Sequence, residues 1–356
     1  SSLIKRRKAK WGETKNMDMS ICDATDLKNK IMKQKAPRMI GHLLSVHEPY
    51  LLHNCCRNEI ESTYRQFSAK TRPHRKTLAD FESWFMNDIE FGMPRIWKEM
   101  KLRNDVCDFN DWIRNYSGVQ KKRYEEAFDD YNCKFVYKQK PLVDPKKMDA
   151  HTKLDEKIFI DYSSTAPKVK SRNITEQTDI CKVLMGPFIH NLSDMFKNFD
   201  PSFGSGLNYQ QRCEKFTIWN QSLLKPRYMC IDGSAFDATQ FEEIQNIVDK
   251  TIYKNYFELN RSNIYHCEPE DLYKVLMETT QKVTTKSFTY TIRGTVPSGK
   301  MSTTFGNCVR SATYVRYIAS KVKGLKENTN YFFEVCGDDI FIFIEDKYVK
   351  LFEEAA

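Results

Sequence analysis

The sequence has no run of eighteen apolar residues, so no segment reads as a membrane-spanning helix, and its first residues carry no signal-peptide pattern. Its 11 cysteines include no Cys-x-x-Cys pair and no zinc-finger spacing, which excludes the common zinc modules. The odd number argues against a disulfide framework, and reduced thiols in an intracellular compartment are expected. The adjacent pairs Cys55-Cys56 and His266-Cys267 read as packed or surface residues rather than metal ligands. No internal repeat and no low-complexity linker marks a domain boundary. What is present is a chain of 356 residues, 40% hydrophobic and 13% aromatic, with material for one large or two ordinary domains and a sizeable core. Lys and Arg number 56 against 47 Asp and Glu, and the formal charge of +9 favours a polyanionic partner. Lys5, Arg6, Arg7, Lys8 and Lys10 near the start form either a phosphate-contacting arm or a solvated tail. Residues 36–97 read as mostly helical and amphipathic, broken at Pro73 and Pro94, with Trp84 and Phe85 in the core and no catalytic constellation.

Two adjacent carboxylates, Asp338 and Asp339, stand between the β-prone runs 332–336 and 340–344. Gly337 supplies the backbone freedom of a short turn, and the pattern predicts a hairpin with acids at its tip. Alone, it reads more readily as a polar turn, because turns select Gly and Asp for local reasons. Upstream, Asp232 ends a short apolar strand from Tyr228 to Ile231, and Asp237 follows. A pair of divalent cations needs hard oxygen ligands converging from different elements, and Asp232, Asp338 and Asp339 have the right chemistry. Helix capping by Asp232 and a first-turn place for Asp237 is the plainer alternative.

Between the acidic stations, Pro297, Ser298 and Gly299 form a loop. From about Thr303, the apolar residues Phe305, Val309, Ala312, Val315 and Ile318 recur at helical spacing, with Asn307 near the polar start. Residues 241–259 predict another helix, with Phe241, Ile244, Ile247, Val248 and Ile252 on one side, and 287–293 alternates like a strand.

Taken in order, Asp232-x-Ser234-x-Phe236-Asp237, Ser298-Gly299-x-x-x-Thr303-x-x-x-Asn307 and Gly337-Asp338-Asp339 resemble motifs A, B and C of the RNA-dependent RNA polymerases of positive-strand RNA viruses. The likeness is nearest to the tombusvirus-like and nodavirus-like groups and covers roughly residues 225–345. Farther upstream, CKFVYKQKPLV reads as a β-prone run and APKVKSRNIT as a basic loop. Together they resemble motif F, with Lys138 and Lys140 in the first part and Lys168, Lys170 and Arg172 in the second. The insert from Pro141 to Pro167 departs from the family in length and composition. Gly206, Leu207 and Asn208, ahead of a helix with an aromatic end, resemble the stretch that precedes motif A.

The resemblance implies an α+β right-hand polymerase fold, in which an antiparallel palm sheet is backed by helices and accompanied by a largely helical fingers region. Residues 1–130 would be an N-terminal extension and part of the fingers, and 131–225 fingers with the motif F-like loop. Residues 226–356 would be the palm, with a fingers insertion at about 255–290. The family continues beyond motif C into motifs D and E and a thumb, so a thumb is expected to lie outside this chain. Asp232, Asp338 and Asp339 would be catalytic metal ligands for Mg²⁺, or Mn²⁺ in its place. Asp237, Ser298, Gly299, Thr303, Asn307, Lys168, Lys170 and Arg172 would bind the nucleotide. The Arg172 guanidinium suits triphosphate oxygens because it grips them bidentately, whereas a lysine is a mobile point charge.

The implied function is RNA-dependent RNA synthesis on a viral genome. Partners would be an RNA template, a primer or nascent strand, nucleoside triphosphates and viral or host replication-complex proteins. The implied location is the host cytoplasm, at membrane-associated complexes reached through other segments or proteins. A reverse transcriptase shares the paired aspartates, but it usually has an aromatic residue where Asp237 stands and another two positions before the acidic pair, here Cys336. A catalytically silent palm-fold RNA-binding protein would lack a metal ligand, yet all three carboxylates are present.

Overall fold

The computed structural model describes residues 18–21 and 50–51, parts of 59–66, and residues 72–103, 108–136, 143–153, 157–158, 172–233, 236–260 and 269–356. Among the described residues the strands are β1 (Asp18–Ile21), β2 (Tyr50–Leu51), β3 (Lys147–Thr152), β4 (Lys157–Ile158), β5 (Asn173–Gln177), β6 (Pro226–Ile231), β7 (Thr280–Thr284), β8 (Phe288–Arg293), β9 (Tyr331–Cys336) and β10 (Asp339–Glu345). The fold is mixed α+β, with one sheet of order β6-β10-β9, a second of order β1-β8-β7-β3-β5, and a short β2–β4 pair.

The first sheet follows from the period of its side chains. On β10, Ile340, Ile342 and Ile344 join Phe333 and Val335 of β9 in the main core, while Phe341, Phe343 and Phe332 point to the other face. The helix Thr303–Ser320 covers the first face with Phe305, Val309, Ala312 and Val315, the residues whose spacing predicts it; Ile318 is partly buried against the same core. The helix Tyr209–Ser222 covers the second face through Phe216 and Trp219. Asn208 and Gln211 start that helix with a reciprocal capping box, as expected of an Asn ahead of a helical run. Each of these large apolar side chains gains about 1.5–3 kcal/mol on full burial.

The helix Asp179–Phe199 joins the same core, its Phe196 ring 5.1 Å from that of Phe305, and is buried along most of its length. The second sheet is antiparallel except where β3 runs parallel to β7. Its own small core is Met148, Ala150, Val283, Phe288, Tyr290 and Ile292, joined by Ile60.

Several sequence expectations change in detail. The expected helix 241–259 is two helices, Glu242–Ile247 and Asp249–Leu259, which meet at Val248, whose φ of −90° and ψ of −66° offset the second axis. Its five predicted apolar residues are all buried. The β-prone reading of CKFV is corrected: Cys133 to Val136 end the helix Gly118–Val136. The i,i+4 ion pairs Lys121–Glu125, Lys122–Glu126 and Asp130–Lys134 support helix there, outweighing the strand preference of Phe135 and Val136. Pro94 does not break a helix but opens one, Met93–Leu102, where its missing N–H costs nothing. Phe85 is fully buried and Trp84 packs against the core. Tyr228, expected as an apolar strand residue, is exposed, because β6 is an edge strand.

Candidate active site

The acidic turn is held by one helix. Gly337 takes the left-handed conformation, φ +74°, that joins β9 to β10. Its N–H donates to Cys308 Sγ at 3.0 Å, and its carbonyl accepts from Ser311 Oγ at 3.0 Å. Cys308 and Ser311 are one helical turn apart, so a single face of Thr303–Ser320 satisfies both backbone groups of the turn. Burial pushes the Cys308 thiol up, keeping it neutral against the peptide N–H.

The β6–β10 register brings the other acidic station to the same end of the sheet. Ile231 faces Ile340, and one further step in that register sets Asp232 opposite Asp339. Beyond Asp232 the chain turns sharply: a Cβ on Gly233 would lie 2.5 Å from the Phe236 ring. Asp232 and Asp339 are exposed and Asp338 is half-buried. Among the described residues, no hydrogen bond or ion pair claims these three carboxylates. Ser234 of the same motif lies outside the described residues.

Asp237 stands in the first turn of the short helix Phe236–Thr239. Burial raises its pKa; the hydrogen bond from Asn307 and the charge of Arg310 oppose that rise, and the nearby Asp338 charge adds to it. Asn307 Nδ2 donates to Asp237 Oδ1 at 2.8 Å. On its other side, Asn307 Oδ1 accepts from Arg310 Nη2, and Arg310 Nη1 is paired with Asp249. Arg310 is only 1% exposed, and burial pushes the Asp249 carboxyl up against the pull of Arg310. The chain Asp237–Asn307–Arg310–Asp249 thus runs from the acidic turn into the core.

The loop before the helix is tied to β5. Thr175 N–H donates to Ser298 Oγ at 3.1 Å, Ser298 Oγ donates to the Asn173 carbonyl at 3.3 Å, and Gly299 N–H donates to the Thr175 carbonyl at 2.8 Å. A Cβ at Gly299 would lie 2.7 Å from the Thr175 oxygen, so only glycine permits this approach. Thr303 Oγ1 donates to the Pro297 carbonyl at 2.6 Å and closes the loop. Lys300 is buried within it, its Nζ donating to the carbonyls of Leu276 and Glu278, and burial pulls its pKa down to about 8. Arg172 lies exposed immediately before β5, its carbonyl accepting from Lys153 N–H at 2.9 Å. Lys138, Lys140, Lys168 and Lys170 lie outside the described residues.

The structure therefore gathers Asp232, Asp237, Asn307, Asp338 and Asp339 at one end of a sheet, with Ser298, Gly299 and Thr303 in the adjoining loop. Sequence reasoning missed Asp249, Lys300, Cys308, Arg310 and Ser311. Only Arg310 carries a usable local signal, since it sits three residues after Asn307 on the same helical face. Exposed carboxylates without protein partners are the hard oxygen donors that suit Mg²⁺ or Mn²⁺. Among the described residues no three His, Cys, Asp or Glu side chains already converge into a metal-binding group. No helix among them is long and apolar enough to cross a membrane. Compared with known proteins, residues 33–355 match a family model described as viral RNA-dependent RNA polymerase. No curated protein matches the chain.

Proposed function

We propose that this chain, which belongs to the viral RNA-dependent RNA polymerase family and is an RNA-directed RNA polymerase, builds RNA at the sheet end where Asp232 meets the Asp338–Asp339 turn. That shared sheet end, set by the Ile231–Ile340 register, is the observation that carries the reading. The reaction is in-line attack of the growing strand's 3′-hydroxyl on the α-phosphorus of a nucleoside triphosphate, with pyrophosphate leaving. Asp232, Asp338 and Asp339 would hold a pair of divalent cations. When bound, Mg²⁺ or Mn²⁺ supplies neutralisation of the charge that builds on the reacting phosphate.

The remaining residues position the nucleotide. Arg172 clamps triphosphate oxygens, aided by Lys168 and Lys170. Ser298, Gly299 and Thr303 hold the loop that bounds the nucleotide. Asp237 accepts from the ribose 2′-hydroxyl and Asn307 donates beside it, so a deoxyribose leaves polar groups unpaired. In this reading residues 226–356 form the palm, with a fingers insertion at about 255–290. Residues 131–225 belong to the fingers, and 1–130 to an N-terminal extension and part of the fingers. The affinity is tombusvirus-like or nodavirus-like. The polymerase would work in the host cytoplasm, at membrane-associated complexes that other segments or proteins provide.

The test is RNA extension on an RNA template with Mg²⁺ by Asp232→Asn and Asp338→Asn variants, run beside thermal unfolding. Each removes several kcal/mol of transition-state charge stabilisation, so extension should fall at least about a thousand-fold. Stability should shift by only about 0.5 kcal/mol, as for other surface substitutions. Near-normal extension by either variant would overturn the assignment. Asp339→Asn should be the mildest of the three.

A further inference from the structure

We infer that the buried Arg310–Asp249 pair is a positioning device that fixes which way the Asn307 amide faces, and through it how sharply the site separates ribose from deoxyribose. The inference rests on the proposed place of Asp237 and Asn307 at the sugar.

An asparagine amide has an acceptor at one end and a two-hydrogen donor at the other, and the two ends are nearly equal in size. Left alone beside a sugar, it can turn over and present either. Arg310 removes that choice. A guanidinium has donors and no acceptor, so only Asn307 Oδ1 can face Arg310 Nη2. The amide nitrogen must then face Asp237, where it donates to Oδ1 at 2.8 Å. A flipped amide would set donor against donor at Arg310 and oxygen against carboxylate at Asp237. Asn307 can therefore only donate at the ribose, because its acceptor is committed inward. The second amide hydrogen and the other Asp237 oxygen remain for a ligand.

The guanidinium is itself held at a fixed angle. Nη1 pairs with Asp249, the first residue of the helix Asp249–Leu259, while Nη2 reaches Asn307. Gly306 leaves the space: a Cβ there would lie 3.0 Å from Nη1 and 3.3 Å from Nη2. The arrangement is poor as a stability device. Arg310 Nε and Asp249 Oδ1 are buried without a hydrogen-bond partner among the described residues. A buried pair with orphaned atoms is commonly matched or bettered by apolar side chains of the same volume.

The deciding measurement is the ratio of extension efficiencies for matched ribo- and deoxyribonucleoside triphosphates, in the full polymerase. The double variant Arg310→Met/Asp249→Leu removes both charges at once, so neither is left unpaired. It should fold at least as stably as the parent, yet narrow the ratio about tenfold. Gly306→Ala keeps both charges but displaces the guanidinium, and should narrow the ratio in the same direction by less. Should the double variant fail to fold, Gly306→Ala decides by the same ratio. An unchanged ratio in the folded variants, with extension still measurable, overturns the inference. Asp237→Ala, run in parallel, separates the two levels: if it narrows the ratio and the Arg310 variants do not, only this inference fails. If it too leaves the ratio unchanged, the reading of the sugar site fails with it.

Discussion

The helix Thr303–Ser320 carries two buried arginines, and its two ends treat them in opposite ways. Near the far end, Arg316 donates from Nε and Nη2 to Glu327, both at 2.8 Å, and from Nη1 and Nη2 to Asp200 at 2.7 and 2.9 Å. Its guanidinium also lies 5.1 Å from the centre of the Phe333 ring. Burial opposes the Asp200 charge, yet the facing Arg316 outweighs it and holds the carboxyl down to about 2. At the end near the acidic turn, Arg310 faces Asp249 and Asn307 with atoms left over. There burial prevails, with Asp249 and Asp237 pushed up and Lys300 pulled down to about 8. Residue type, helix and burial are the same, so the difference lies in how completely partners saturate the charge. The saturated end stabilises the fold, and the unsaturated end orients side chains at a cost in stability.

The sharpest way to break this contrast is Arg316→Met. Leaving Asp200 and Glu327 buried and unpaired should cost about 3–5 kcal/mol in urea unfolding, while the ribose-to-deoxyribose ratio stays at its parent value. A changed ratio would mean that the two ends are not separate devices.

Lys300 tests the other end through pH. Its folded pKa of about 8 lies below the ordinary lysine value of 10.5, so between those values the unfolded chain holds more protons. Stability should therefore rise with pH across that window, by an amount approaching about 3 kcal/mol. Lys300→Met should flatten the rise, read as urea midpoints at neutral and alkaline pH. An equal rise in the variant would show that Lys300 carries no buried charge.

Asp200 predicts a dependence of the same sign, in the acid range. With its folded pKa of about 2 below the ordinary 3.8, it contributes stability above the higher value and loses it as pH falls toward the lower one. The loss is about 2 kcal/mol, and Asp200→Asn should be correspondingly less sensitive to acid. Smallest is Ser311→Ala, which removes the bond to the Gly337 carbonyl and should cost about 1 kcal/mol. Its extension rate should fall more than its stability does, because the group it releases belongs to the acidic turn.

Where an element is specified by its own neighbours, the sequence made it legible. The period of Phe305, Val309, Ala312 and Val315, the alternation along β8, and the glycine between two apolar runs each depend on residues close in the chain. What escaped depends on distance or on competition. The Arg310–Asp249 pair spans 61 residues, and nothing near either one announces the other. Nothing near Lys300 signals its burial, because its partners are the carbonyls of Leu276 and Glu278, more than twenty residues upstream. Cys133 to Val136 have side chains that favour strand, while the helix that claims them starts far upstream, at Gly118. At the site, the meeting of Asp237 with Asn307 was foreseeable from the motif order, but the commitment of the Asn307 oxygen to Arg310 was not.

The tie between β5 and the Ser298–Gly299 loop has a consequence for the timing of synthesis. Thr175 and Ser298 are 123 positions apart, and chains grow at roughly 5–20 residues per second. On a ribosome, β5 is therefore made roughly 6–25 seconds before the loop that locks it in place. During that interval its free edge exposes unpaired peptide groups. The same delay leaves β5, with Arg172 immediately before it, without this tie until Ser298 and Gly299 have been made.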